Sequence, residues 1–188
     1  MAASPEPADS PFAVSVRGIV DRPGTQQAVN LSFPAPAVVG TDVIGIPEGA
    51  DLRLDVSLES VSEGIWVSGN AMGVATGECG RCLDAITHDV AAVVNGLFVS
   101  EEADSRMDDH EDVYRFEADT VDLEEVVRDA VADALPFTPL CSDDCPGLCD
   151  QCGASLVEDP THAHNVIDPR WSVLESLGDT GIDVKKER

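Results

Sequence analysis

The sequence predicts an α+β protein: a mainly antiparallel β meander or small barrel over residues 12–99, followed by an amphipathic helix and a cysteine-rich C-terminal segment. Five stretches before residue 100 are rich in Val, Ile, Leu and Thr and place apolar residues at every second position, as half-buried strands do. No helical pattern separates these stretches, so antiparallel pairing is favoured over βαβ units. Beyond residue 120 the apolar spacing becomes helical, and four of the six cysteines follow it.

Composition limits the class of protein. The chain has 188 residues, of which 43% are hydrophobic and 4% aromatic, so it can bury a core of Val, Leu, Ile and Ala in one domain or two small ones. No apolar run approaches about 18 residues, so we expect no membrane-spanning helix. The N-terminus "MAASPEPADSPF" lacks the basic and apolar regions of a secretory signal. We therefore expect a cytoplasmic protein, whose paired cysteines act as ligands rather than as disulfides.

The predicted organisation begins with a disordered tail at 1–11 and a β-rich domain at 12–135. Its five predicted strands are, in order, "FAVSVRGIV", "QAVNLSF", "DLRLDVSLESV", "IWVSGNAMGVATG" and "HDVAAVVNGLFV". Turn residues at 23–24, 47–49 and 63–64 separate them. Because the last two strands flank "ECGRCLD", we predict that this stretch lies at the tip of a hairpin.

An acidic loop and a helix complete the predicted β-rich domain. Residues 100–119 are polar and without periodicity, which predicts an exposed loop. "TVDLEEVVRDAVADALP" then predicts a helix that Thr120 or Asp122 can cap and that Pro136 ends. Between residues 101 and 133 there are fourteen acidic residues and three arginines, the densest negative region of the chain. The apolar stripe of the helix, which we expect to pack on the core, consists of Val126, Val127, Ala130, Val131 and Ala134.

Residues 136–178 are predicted to form the cysteine-rich segment and a short C-terminal helix, with a tail at 179–188. The helix is read from "DPRWSVLESLG", where Asp168 is the N-cap, Pro169 the first helical residue and Gly178 the stop.

Two C-x2-C pairs, "CGRC" and "CDQC", predict a metal site. Cysteines at this spacing can turn both sulfurs toward one point while backbone N–H groups point at the thiolates. The glycine after "CDQC" permits the tight turn that this needs. Two such knuckles make a tetrahedral four-thiolate site that suits a structural zinc ion, with the ligands Cys79, Cys82, Cys149 and Cys152.

Two other ligand groupings compete with this one. The first is a compact local set of four: Cys141, Cys145, Cys149 and Cys152. In the second, Cys149 and Cys152 share an ion with His162 and His164 of "THAH", because neighbouring side chains of an extended chain can swing toward one ion. A mixed arrangement with two ions would use all six cysteines and both histidines.

Redox and hydrolytic chemistry have less support in the sequence. A thioredoxin-like C-x-x-C opens a helix after a strand, whereas "CGRC" lies between strands and "CDQC" follows a loop with Pro and Gly. Unliganded buried cysteines would explain two residues but not six in this spacing. The motifs G-x-S-x-G, H-E-x-x-H and G-K-[ST] do not occur. His110 has no second ligand nearby, and His88 lies within a strand pattern, where we expect ordinary packing or exposure. We expect no enzymatic activity.

The net charge of −25 indicates the class of partner. Such a surface repels phosphate backbones, whereas direct binding to nucleic acid normally needs a basic footprint. It suits a strongly basic protein partner, although a solvated acidic surface without a specific partner would carry the same charge.

The ordered motifs "CGRCLDAI", "DLEEVVRDAVADALPFTPLC", "CPGLCDQCGASL" and "IDPRWSVLESL" resemble the YceD family, the large ribosomal RNA subunit accumulation proteins. The similarity covers about residues 12–178. It implies a non-catalytic cytoplasmic factor needed for accumulation of the large-subunit ribosomal RNA, whose gene commonly lies beside that of ribosomal protein L thirty-two. Family members of this type often carry a C-x-C where this chain has His162 and His164, and this exchange keeps the ligand capacity and favours the two histidines as ligands.

The resemblance and the charge together suggest a mechanism. We expect the acidic residues of 101–133 to hold a basic large-subunit ribosomal protein, with L thirty-two as a candidate, so that ribosomal RNA is served indirectly. The alternatives are a processing factor that contacts RNA and a zinc- or thiol-based redox switch.

Overall fold

A computed structural model of the chain describes residues 10–100, 113–164 and 170. Its contacts divide the chain into two compact units, Met1–Cys145 and Pro146–Arg188. Residues 136–145, which the sequence assigns to the cysteine-rich segment, group with the first unit. The predicted C-terminal helix at 168–178, apart from Arg170, the tail at 179–188 and most of the tail at 1–11 lie outside the described residues.

Nine strands and one helix form the described part of the first unit. In chain order they are β1 (Ala13–Ser15), β2 (Gln26–Pro34), β3 (Val39–Gly40), β4 (Ile44–Ile46), β5 (Asp51–Ser60), β6 (Ile65–Glu78), β7 (Ala85–Ser100), β8 (Val113–Phe116), β9 (Thr120–Asp122) and α1 (Glu124–Ala134).

The main sheet has seven strands and is mostly antiparallel, and it curls into a half-barrel. Strands β2, β5, β6, β4 and β3 follow one another in this order, while β7 pairs with β6 and β8 pairs with β7. Strands β1 and β9 form a separate antiparallel pair. The predicted mainly antiparallel fold followed by a helix is confirmed, and the predicted strands that became β2, β5, β6 and β7 pair in that order. The sequence did not predict the short strands β3 and β4, of which β4 pairs with β6.

Strand β6 organises the sheet because it is long and carries small residues on its buried face. It pairs with β7 along its whole length, so β5 and β4 follow each other along its other edge. Three glycines stand on the face that points to the core. A Cβ at Gly69 would overlap the backbone of β5, and a Cβ at Gly73 would lie 2.7 Å from the Ile46 side chain. The absence of side chains there lets β5 and β4 approach closely enough for the sheet to curl.

Alternation along the strands separates a core face from a solvent face. In β5 the buried residues are Leu52, Leu54, Val56 and Leu58. In β7 the neighbours Val93 and Val94 show the same alternation, with exposed fractions of 65% and 0%. Because side chains alternate with a period of two, this pattern fixes the register of the sheet.

Helix α1 packs on β7 through its apolar stripe. The N-cap position is Leu123, whose side chain makes no cap hydrogen bond, so the prediction of Thr120 or Asp122 as the N-cap was wrong. Asp122, one residue earlier, instead accepts a hydrogen bond at its Oδ1 from the N–H of Glu124 at 2.9 Å and satisfies one free donor of the first turn. Leu135 is extended, which ends the helix before Pro136. The buried members of the stripe are Val126, Val127 and Val131; Ala130 is partly buried, and the inclusion of Ala134 was wrong because it is exposed.

Two further predictions are corrected. The predicted exposed loop at 100–119 contains strand β8, which pairs with β7 in parallel and buries Phe116; residues 101–112 lie outside the described part. The first predicted strand, 12–20, shrinks to β1, because the chain turns after Ser15 and reaches a positive φ of 59° at Asp21.

Candidate metal centres

Both C-x2-C pairs fold into the same backbone turn. In each turn the N–H of the first cysteine donates to the carbonyl oxygen five residues later, at 2.8 Å. The N–H four residues after that cysteine donates to the cysteine's own carbonyl oxygen, at 2.9 Å for Leu83 and 2.8 Å for Gly153. This residue has a positive φ, 63° at Leu83 and 75° at Gly153, so the chain reverses and both sulfurs face one point.

The first pair lies at the tip of the β6–β7 hairpin, as the sequence predicts, because Glu78 and Ala85 are the last paired residues before it. It is joined there by two cysteines that follow helix α1. The Cys79 and Cys145 sulfurs lie 3.8 Å apart, and those of Cys82 and Cys141 lie 3.6 Å apart. All four sulfurs lie within 4.8 Å of one another and could hold a metal ion. We call Cys79, Cys82, Cys141 and Cys145 the first cluster; only Cys141 is exposed.

Hydrogen bonds to backbone carbonyl oxygens hold the two halves of the first cluster together. The N–H of Gly80 donates to the carbonyl oxygen of Pro139 at 2.8 Å. The Arg81 guanidinium donates to the carbonyl oxygens of Asp143 at 3.2 Å and Cys145 at 3.0 Å. Arg81 therefore ties the hairpin to the segment that carries Cys141 and Cys145. Ile86 and Leu140 pack against the buried cysteines of this cluster.

The protein environment shifts the pKa values of two thiols in the first cluster in opposite directions. Backbone N–H groups of Cys82, Arg81 and Cys141 lower the pKa of Cys79 to about 6, against the effect of burial. At Cys82 the N–H of Asp84 lowers the pKa, but burial, the Asp84 carboxylate and the neighbouring thiols outweigh it and raise the pKa above its usual range. The lowered pKa favours the thiolate form of Cys79, which is the form that binds metal, and the raised pKa favours the thiol form of Cys82.

The second pair meets the two histidines of "THAH" in the second unit. His162 Nε2 and His164 Nε2 each lie 3.2 Å from the Cys152 sulfur and 2.9 Å from each other. With Cys149 they form the second cluster, whose ligand atoms also lie within 4.8 Å of one another. Backbone N–H groups of Gln151 and Cys152 lower the pKa of the Cys149 thiol.

The structure thus divides the eight predicted ligands into two sets of four. The four-thiolate site from two C-x2-C knuckles, which the sequence put first, is not the grouping found, and neither is the local four-cysteine set. The grouping is the one that the two-ion arrangement would need, with the histidine pair in the second set. Cys141 and Cys145 complete the first cluster, a pairing that their C-x3-C spacing alone did not indicate. Of the remaining histidines, His88 is exposed on β7, and His110 lies outside the described residues.

Comparison with known proteins places this architecture in a family. The family model described as large ribosomal RNA subunit accumulation protein YceD matches residues 67–178. The chain belongs to the YceD family. The match begins within β6 and contains all eight candidate ligands of the two clusters.

Mycobacterial relatives extend the similarity over nearly the whole chain. Uncharacterized proteins of Mycobacterium bovis and Mycobacterium tuberculosis are each 40% identical over 181 residues, which is 95% of this chain and 87% of theirs. A relative from Mycobacterium leprae is 38% identical over 169 residues, 89% of this chain and 78% of its own. No solved structure matches the chain.

Within the described residues, no helix has the length and apolar character needed to cross a bilayer.

Proposed function

We propose that this chain is a non-catalytic cytoplasmic factor that supports accumulation of large-subunit ribosomal RNA by holding a basic ribosomal protein on its acidic surface. The observation that carries the proposal is membership of the YceD family in a chain with a net charge of −25. A surface of this sign attracts a protein rich in Lys and Arg and repels a phosphate backbone. Ribosomal RNA is then served through the protein partner, for which ribosomal protein L thirty-two is a candidate.

Helix α1 offers an acidic surface of this kind. Its one basic residue, Arg128, is already engaged: its Nε lies 2.9 Å from Glu124 Oε1, and its Nη1 donates to the carbonyl oxygen of Val38 at 2.8 Å. Asp129 accepts a hydrogen bond from the Tyr114 hydroxyl at 2.9 Å and remains exposed. The pairing of Arg128 leaves the carboxylates of this face to attract a basic partner.

A capture experiment tests the holding of a basic partner. The full-length protein is immobilised and offered purified large-subunit ribosomal proteins, L thirty-two among them, at about 50 mM and about 300 mM salt, since screening of exposed charges strengthens over this range. We expect capture of a basic protein at low salt that weakens at high salt.

Matched variants locate the surface. Glu125→Gln with Asp133→Asn removes two exposed charges from the helix face, and Asp42→Asn with Glu48→Gln removes two exposed charges from the loops around β4. We expect the helix variant to weaken capture more than the loop variant does. Equal weakening by the two variants would mean that the partner binds elsewhere on the protein. If no basic protein is captured in a salt-sensitive way, the proposal is wrong. Tight binding of ribosomal RNA by the purified protein would favour an RNA-contacting processing factor instead.

We propose further that both clusters bind structural zinc ions. With zinc–sulfur bonds of about 2.3 Å, a tetrahedral site has sulfurs about 3.8 Å apart. The observed separations of 3.8 and 3.6 Å in the first cluster fit this geometry. In the second cluster the sulfur–nitrogen distances of 3.2 Å are shorter than the roughly 3.5 Å of a tetrahedral site, so binding would spread these ligands by a few tenths of an ångström. Two thiolates with two imidazoles are a familiar zinc ligand set.

Metal analysis on single-ligand variants tests the two zinc sites. We expect two zinc ions in the parent chain and one in each of the variants Cys145→Ser and Cys152→Ser, one from each cluster. Thiol titration with and without a chelator separates this reading from a redox switch. Structural zinc protects its cysteines until it is removed, whereas a redox pair cycles between thiol and disulfide without loss of fold.

A further inference from the structure

The described residues of the second unit, 146–164 and 170, contain little besides their candidate ligands to keep them folded. Among these described residues, no apolar side chain is fully buried, and Val157 is 46% exposed. Its described secondary structure consists of turns, a single β-bridge between Leu148 and Ser155, and one residue in 3-10 conformation, Arg170. A segment without a hydrophobic core does not recover the entropy lost on ordering its backbone, and small domains of this kind depend on a metal or on disulfides.

The backbone hydrogen bonds of this unit surround the second cluster. The N–H groups of Cys149 and Gly153 close the turn that holds the two cysteines of this cluster. The N–H of Leu156 donates to the carbonyl oxygen of Gly147 at 3.0 Å. The N–H of His162 donates to the carbonyl oxygen of Asp159 at 3.1 Å, which forms the turn that leads into the histidine pair. Loss of the ion would free both turns at once.

The first cluster stands in a different setting. Its hairpin half is set by the long β6–β7 ladder, and three of its four cysteines are buried. The ligands are thus held in place before an ion arrives, and preorganised ligands bind more tightly because binding does not also have to order the chain. In the second cluster Cys152 and His164 are exposed, so water and chelators reach the ligands directly.

From this contrast we propose that the second cluster is an exchangeable zinc site and that its occupancy controls the fold of residues 146–164. When zinc leaves this cluster, the segment unfolds, while the first unit keeps its fold and its own ion. The inference rests on the proposed zinc sites and adds a regulation to them. The supply of zinc decides whether the C-terminal segment is folded, and the sheet and acidic helix persist in either state.

Stepwise removal of zinc from the full-length protein tests this proposal. The zinc-loaded chain is titrated with EDTA while released zinc is measured, and hydrogen exchange is followed by mass spectrometry in peptides from 146–164 and from β6 and β7. We expect one ion to be released at a chelator concentration about tenfold or more below that needed for the other, a ratio that corresponds to roughly 1.4 kcal/mol of binding free energy. At that first step the amides of 146–164 lose protection, and those of β6 and β7 keep it.

Two variants assign the steps. Cys152→Ser is expected to remove only the early release and to leave 146–164 unprotected from the start, whereas Cys145→Ser removes only the late release. Release of both ions in one step, or continued protection of 146–164 after the early step, would overturn the proposal while the zinc sites themselves stand. A chain that binds no zinc would overturn both. The capture experiment above reports on the basic partner independently of either result.

Discussion

Replacing Val94 by alanine is expected to destabilise the protein by about 2–3 kcal/mol, whereas the same change at the neighbouring Val93 costs under about 1 kcal/mol. The two residues are adjacent on β7 and have the same side chain. Val94 is fully buried, and Val93 is 65% exposed on the opposite face. The pair therefore compares burial with exposure at matched positions.

The magnitude follows from the packing around Val94. Its truncation removes two methyl groups, worth about 0.8 kcal/mol each when buried, or about 1.6 kcal/mol in transfer free energy. The partner of Val94 across the ladder is Gly69, which has no side chain to move into the gap, so the cavity adds to this loss. Alanine also forms strands less readily than valine, but this cost is shared by both variants. The difference between the variants, about 1.5–2.5 kcal/mol, therefore measures burial.

Urea unfolding followed by circular dichroism, with saturating zinc in every sample, measures the two free energies. An unchanged slope of the free energy against urea would show that both variants unfold from a native state of the same compactness. Equal losses at the two positions would refute the reasoning. A larger loss at Val93 would mean that the strand is shifted by one residue, with its core and solvent faces exchanged.

Two further pairs of variants test local geometry in the same assay. An added Cβ at Gly64 would overlap the carbonyl oxygen of Phe98, so Gly64→Ala should cost more than about 2 kcal/mol, whereas Gly49→Ala, which meets no neighbour, should cost only the roughly 1 kcal/mol of its positive φ. Similar losses at both glycines would count against the close approach. Asp122→Ala removes the acceptor of the Glu124 N–H and a negative charge beside the start of α1, and should cost about 1 kcal/mol, whereas Asp133→Ala removes an acid from the last turn of α1 and should stabilise the chain by about 0.3 kcal/mol or more. Effects of the same sign at the two aspartates would contradict this view of the helix.

The elements that sequence reasoning found are those whose side chains repeat over many residues. Strands β5, β6 and β7 alternate over ten or more residues, and α1 shows a helical stripe, so local pattern was enough. Strands β3 and β4 have two and three residues, too few to show a period. The parallel pairing of β8 depends on a partner across residues 101–112, and nothing local in "VYRF" reveals it.

The same distinction applies to the metal centres. Each C-x2-C turn is a local structure, and the sequence predicted both the turn and its ligands. The choice of partner for each turn depends on where distant parts of the chain meet. Cys141 reaches Cys82 because β7, β8 and α1 carry the chain back to the hairpin tip. The spacing of the cysteines along the sequence does not predict this contact. The histidine pair could be inferred because it lies only ten residues beyond Cys152.

The position of the first cluster also sets an order of assembly. The β6–β7 hairpin is made of contacts between neighbouring parts of the chain, and hairpins form in about 1–10 μs, so Cys79 and Cys82 are brought together early. Their partners follow 59 and 66 residues later, after β8, β9 and α1 have been synthesised. During translation the chain therefore presents half of a site well before the other half exists. An ion bound by all four sulfurs could be captured only once the sheet and helix are in place, so metal binding at this cluster would follow the completion of the first unit.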